Sequence, residues 1–175
     1  MAINRAEPRY FNKSFSEFAE LNNSASKCVF LSLKSEDKET AIRIGNYILE
    51  AGIDIYLDKN DAGLQGAVKN GDDENIVKYI EKGIQASTHM MCIISQATQI
   101  SWWVPYEIGF AKKSGKAISS LKLKGISNLP SYLKIVRQLN NIKMLNQYLE
   151  EISYGVITEP YYSSTNSLSL LMEKS

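Results

Sequence analysis

Short apolar, β-branched runs alternate along this chain with amphipathic helical stretches, the pattern of an α/β fold built on a parallel sheet. Cys28 to Leu33 is an apolar run, as expected of a strand buried on both faces. Ser35 to Asp37 then cap a helix lasting to about Ala51, with acids in its first turn where the helix dipole favours them, and Gly52 ends it. Ile53 to Leu57 reads as a second strand. The polar stretch from Asp58 to Asp73 holds Gly63, Gly66 and Gly71 and is expected to be a mobile loop. From about Asp73 to Ala86, Ile76, Ile80 and Ile84 recur every four residues and Glu74 precedes Lys78 by four, predicting a helix with one buried and one wet face. His89 to Ser95 supplies a third strand, Trp102 to Ser114 a helix stopped by Gly115, and Lys116 to Leu121 a fourth strand. Further on, a short fifth strand is expected near Val136 to Leu139. Ile142, Leu145, Leu149 and Ile152 then give Asn140 to Ile152 a helical apolar stripe.

The flanks differ from this middle. Residues 1–26, with Phe11, Phe15, Phe18 and Leu21, read as an N-terminal helical extension docked by an aromatic stripe. Residues 27–152 form the α/β domain, and 153–175 a tail without periodicity that is Ser-rich from Ser163 to Ser169. A length of 175 residues suits one domain with a genuine core. Twenty Lys plus Arg against nineteen Asp plus Glu lack the clustered basic excess of a nucleic-acid footprint, so no nucleic-acid partner is expected. Cys28 and Cys92 sit inside apolar runs and read as small buried hydrophobes, not as a disulfide or a metal pair. No run reaches the ~18 apolar residues of a transmembrane helix, and the first residues lack the apolar core of a signal peptide. No membrane partner is therefore expected, and a cytoplasmic location is.

In open parallel sheets the ligand lies outside the carboxyl ends of the strands, so candidate residues belong after Leu33, Leu57, Ile94 and Leu121. A dinucleotide fingerprint would place Gly-x-Gly-x-x-Gly after the first strand; here the chain runs Ser32-Leu-Lys-Ser-Glu-Asp37, without a glycine. No P-loop is present either. A phosphorylated receiver domain would want an acidic pair after the first strand and an Asp after the third, where this chain has Ser32 and Ser95. The segment from Ser95 to Glu107 stands out. Ser101 is a candidate N-cap and Pro105 is tolerable only near a first turn, so Trp103 and Glu107, four apart, share one face at a helix start. A carboxylate and an indole then face the ligand crevice.

Val29-Phe-Leu-Ser32, Ile55-Tyr-Leu-Asp58, Ile80 to Ser87, Ile94-Ser95 and Trp103-Val-Pro-Tyr-Glu107-Ile-Gly follow one another within Lys27 to Leu121. Together they resemble the ordered motifs of bacterial Toll/interleukin-1 receptor (TIR) domains of the NAD-consuming kind, such as those of Thoeris-type antiphage defence. The resemblance implies a flavodoxin-like fold, a central parallel five-stranded sheet with helices on both faces, over residues 27–152. It implies that the acid of the Trp-x-x-x-Glu pattern, Glu107, is catalytic. The implied reaction is NAD+ glycohydrolysis or cyclisation, cleaving the nicotinamide–ribose bond to make an ADP-ribose-derived nucleotide signal. NAD+ is then the substrate, and no separate cofactor is implied. A homo-oligomer joined by TIR–TIR contacts and a separate effector protein sensing the product complete the implied picture. A lone acid makes chemical sense, because nicotinamide leaves from NAD+ without needing the protonation that a neutral sugar leaving group requires.

Other positions carry two readings each. Ser32, Lys34 and Ser35 follow the first strand, where related domains line the nucleotide pocket, and Lys34 meets a phosphate unless the segment is simply a solvated helix cap. Trp103 stacks on the nicotinamide or adenine ring, or anchors the core. Trp102 reads as packing or an interface contact. Asp58 opens the loop that the family calls the BB loop and is a substrate-binding candidate, but the apparent insertion around Gly63 to Gly71 departs from the usual short form. His89 reads as structural. Two other functions stay open at this point: a non-catalytic TIR adaptor acting through TIR–TIR assembly, and an enzyme like the nucleoside deoxyribosyltransferases.

Overall fold

The computed structural model describes residues 1–7, 26–57, 61–153, 168 and 170–172. The apolar runs become five strands: β1 (Cys28–Ser32), β2 (Asp54–Tyr56), β3 (His89–Ile94), β4 (Ala117–Lys122) and β5 (Arg137–Leu139). All neighbours are parallel and the order is β2-β1-β3-β4-β5. The described helices are α1 (Lys38–Glu50), α2 (Ala62–Asn70), α3 (Asp73–Gln85), α4 (Gln96–Gln99), α5 (Trp103–Lys113), α6 (Ser131–Lys134) and α7 (Ile142–Ile152). From β1 the chain winds outward to β2 on one side and then returns to β3 on the other. The carboxyl ends of β1 and β3 therefore flank the switch point at which open sheets of this kind form their crevice.

Side chains alternate along β3. Met91 and Ile93 join the layer formed by α1 and α7, where Ile44, Tyr47, Ile48, Leu145 and Leu149 are buried. Met90, Cys92 and Ile94 face the opposite layer with Ile80 and Ile84 of α3 and Val104 and Ile108 of α5. Burial on both faces explains why the strands read as continuous apolar runs. The two cysteines are free and buried.

The stretch expected to be a mobile loop instead contains α2. The Asp61 carboxylate caps this helix by accepting from the Leu64 amide at 3.0 Å, and it accepts from the Tyr56 hydroxyl at 2.6 Å. Gly71, at φ 64°, supplies the left-handed residue just past its end. Gly63 serves close packing, since a Cβ there would lie 2.5 Å from the ring of Tyr79 on α3. Of the three glycines that suggested flexibility, Gly63 is thus a packing site and Gly71 a stop signal, while Gly66 lies within the helix with open space beside it. Residues 58–60, including Asp58, lie outside the described residues.

The N-terminal segment also departs from the helical expectation where it is described. Residues 3–5 run parallel to β2: the Ile55 amide donates to the Ile3 carbonyl at 3.0 Å and the Arg5 amide to the Ile55 carbonyl at 2.8 Å. Phe11, Phe15, Phe18 and Leu21 lie outside the described residues. In the tail, Leu168 and Met172 pack into the α1 and α7 layer, and the Lys124 amide donates to the Leu171 carbonyl at 2.8 Å. No helix among the described residues is long and apolar enough to cross a membrane.

Arg5 is fully buried. Its guanidinium donates to Asp54 Oδ2 at 2.9 Å, to the Ala86 carbonyl at 2.8 Å and to Ser26 Oγ at 3.1 Å. Removing one partner of a buried ion pair leaves the other charge without compensation. Arg5→Ala is therefore expected to destabilise the fold by about 3–5 kcal/mol, read as a shift in the urea midpoint. A shift within the range of ordinary surface substitutions would disprove the anchoring role of this residue.

Candidate active site

Strand β1 ends at Ser32, and β3 is followed by the one-turn helix α4 and then by α5. These connections bring the end of β1 against the start of α5. Glu107 lies one turn into α5 and is only 4% exposed. The Ser32 hydroxyl donates to Glu107 Oε2 at 2.5 Å. A hydroxyl donating to a carboxylate makes a strong, short bond and fixes the orientation of the acid.

Register places Cys92 beside Ser32. Burial pushes the Cys92 thiol far above its ordinary value, and the nearby Glu107 charge pushes it further in the same direction, against the Ser32 hydroxyl. Cys92 therefore remains a protonated thiol and is a poor nucleophile. A second network ties the same two strand ends together: the Ser95 hydroxyl donates to Asp37 Oδ2 and accepts from the Thr98 amide at 3.0 Å. The turn after β1 is thus fastened to the cap of α4.

A cavity of about 380 Å³ opens beside Glu107. The segment after β1 contributes Leu33 and Lys34, and α2 contributes Leu64, Gln65 and Val68. Ile76 and Ile80 of α3 form another wall, and residues 100–103 complete the lining with Glu107. The cavity is mainly apolar, with one carboxylate and one ammonium, a composition usual for ligand sites.

The residues singled out in the sequence fall into separate places. Glu107, Trp103 and Lys34 all line the cavity. Trp103 is 39% exposed, so it is not a core anchor; its ring meets Tyr106 edge-on at 6.2 Å. The Lys34 ammonium lies 3.1 Å from Glu36 and remains partly exposed. Ser32, 1% exposed, lies outside the lining and makes its described contact with the carboxylate. Ser35 opens a 3-10 turn, Ser35–Asp37, and its side chain lies outside the described residues, as does Asp58. Trp102 is 93% exposed, which rules out its reading as packing, and it lines the cavity. Ser101 accepts from the Val104 amide at 3.4 Å, although the cap position itself is Trp102. Sequence reasoning missed the contribution of α2, whose signals were the capping Asp61 and the terminal Gly71.

His89 lies far from this cavity, at the start of β3, where with Arg137 and Tyr148 it lines a hollow at the amino ends of the strands. Burial, helped by the charges of Lys27 and Lys116, lowers its imidazole to about 4. It is neutral at ordinary pH, with Nδ1 2.8 Å from the Thr88 hydroxyl.

Parallel strands in the order 2-1-3-4-5 with helices on both faces define a flavodoxin-like domain of the doubly wound class. The TIR domain family model matches residues 29–153, and the chain belongs to that family. No curated relative matches the sequence. Among solved structures, the chain is similar to the CMP N-glycosidase BcmB of Clostridium botulinum, at 17% identity and a TM-score of 0.49, over 72% of this chain and 98% of that one.

Two measurements test these local assignments. Ser32→Ala removes one donor from a buried carboxylate and is expected to cost about 1–3 kcal/mol of stability; an unchanged denaturation midpoint would contradict the bond. Between pH 6.5 and about 4 the unfolded imidazole of His89 takes up a proton that the folded one refuses, so stability present above this window is lost as pH falls through it. His89→Phe should flatten that acid-side slope, and an identical slope in the variant would exclude His89 as its source.

Proposed function

We propose that this TIR domain cleaves the N-glycosidic bond of NAD+, releasing nicotinamide, with Glu107 as the acting carboxylate. The observation that carries the reading is a buried acid, held by the Ser32 hydroxyl at 2.5 Å, lining a cavity large enough for a nucleoside. Nicotinamide is a cationic leaving group, so no second acid has to protonate it. As the bond lengthens, positive charge develops on the ribose. Glu107 bonds the ribose hydroxyls and stabilises that charge, an interaction that grows towards the transition state and so accelerates the reaction. Trp103 stands four residues before the acid and lines the same cavity, where its indole stacks on the departing ring.

The product depends on which nucleophile reaches the anomeric carbon: water gives ADP-ribose, an atom of the same molecule gives a cyclised isomer, and another acceptor gives a conjugate. The protonated state of Cys92 argues against a covalent cysteine intermediate. In this reading NAD+ is a substrate and no further cofactor takes part. The nucleotide product serves as a signal in antiphage defence for a separate effector protein, and the working form is a homo-oligomer joined by TIR–TIR contacts in the cytoplasm.

The test is to incubate the purified chain with NAD+, separate nicotinamide and nucleotide products by chromatography with mass detection, and repeat with Glu107→Gln. Loss of an electrostatic stabiliser is expected to lower turnover by about 10²–10³-fold. Undiminished turnover in the variant would remove Glu107 from the mechanism. Absence of turnover by the concentrated wild-type protein would remove the reaction.

A further inference from the structure

We infer that the indole of Trp102 is an outer stacking surface for the purine base of the dinucleotide, outside the cavity that holds the reacting ribose, an inference that rests on the NAD-cleaving reading above. A cavity of about 380 Å³ is near the low end of the range for small-molecule sites, roughly 300–1,000 Å³. NAD+ is two nucleosides joined by a pyrophosphate, so when the nicotinamide riboside half lies beside Glu107 the adenylate half must lie largely outside. Trp102 lines the cavity and yet is 93% exposed, which places its ring at the rim. Trp103 follows it directly, and successive positions at a helix start are turned by about 100°, so the two indoles address different sides of the opening. The exposed side chains of Ile100 and Val68 extend the apolar rim. Lys34 lines the same cavity and supplies a cation for the pyrophosphate between the two halves. A flat apolar ring beside a cation suits a purine nucleotide, because stacking accepts any base with a π-face.

Kinetics with NAD+ and with nicotinamide mononucleotide, which lacks the adenylate half, test the inference. Trp102→Ala is expected to raise KM for NAD+ about tenfold and to leave KM for the mononucleotide unchanged, while Trp102→Phe restores most of the loss. An equal effect on both substrates, or a changed oligomeric state with turnover of both reduced, would overturn the inference, the latter showing that this face joins copies of the chain. A binding measurement separates this inference from the reaction. The chain has two tryptophans, so in Trp103→Phe Trp102 is the one indole left, and excitation on the long-wavelength side of the tyrosine band reads its emission alone. ADP-ribose is expected to quench that emission and nicotinamide mononucleotide to leave it unaltered. If the wild-type protein cleaves neither substrate while ADP-ribose still quenches Trp102, the reaction fails and the stacking surface stands. If NAD+ is cleaved but Trp102 is neither quenched by ADP-ribose nor needed for a low KM, the stacking surface fails and the reaction stands.

Discussion

The hydrogen bond from Ser32 to Glu107 joins the end of β1, an inner strand of the sheet, to the start of α5. It requires β1 and β3 to be parallel neighbours in the register that sets Ser32 opposite Cys92. It also requires α5 to begin soon after β3, with only the one-turn helix α4 between them. A carboxylate on a helix surface ordinarily samples several rotamers; this one is buried and tied to a strand end, so its direction is inherited from the sheet. Preorganisation of this kind lets a single acid act without reorganising its surroundings during the reaction.

Tyr56 does comparable work on the α2 side of the cavity. Its ring stacks on Phe30 at 5.7 Å, and Gly83 of α3 admits it so closely that a Cβ there would lie 2.5 Å from the ring. Its hydroxyl reaches the same Asp61 carboxylate that caps α2. Strand β2, helix α3 and the start of α2 therefore meet on one side chain. Through α2 this junction sets where Leu64, Gln65 and Val68 stand in the cavity wall.

Much of this was legible in the sequence because it rests on periodicity. The strands and larger helices announce themselves by apolar runs and by spacings of three and four, and Pro105 with the four-residue step from Trp103 places Glu107 at a helix start. Helix α2 was not legible because Gly63 and Gly66, inside it, weigh against a helix in a local count; the contacts that make Gly63 necessary come from Tyr79, on another helix. The role of Ser32 was hidden for a different reason. Its partner lies 75 residues away, and local sequence shows only a polar residue at the end of an apolar strand. Residues 3–5 escaped notice because backbone pairing leaves no periodic trace in so short a segment.

That short segment changes how the sheet can meet its surroundings. Ile55 is the central residue of β2, and its amide and carbonyl are taken by Ile3 and Arg5. The Asn4 side-chain oxygen accepts from the Leu57 and Ala6 amides, closing the edge beyond the strand end. An open edge is a template for pairing with another chain, and here one of the two is already filled by the protein's own first residues. A polymer that continues the sheet from copy to copy needs an acceptor edge at both ends. With residues 3–5 paired to Ile55, the β2 edge does not serve as one of them, so a repeating assembly of this domain has to join its copies through other surfaces instead of by extending the hydrogen-bond ladder at β2.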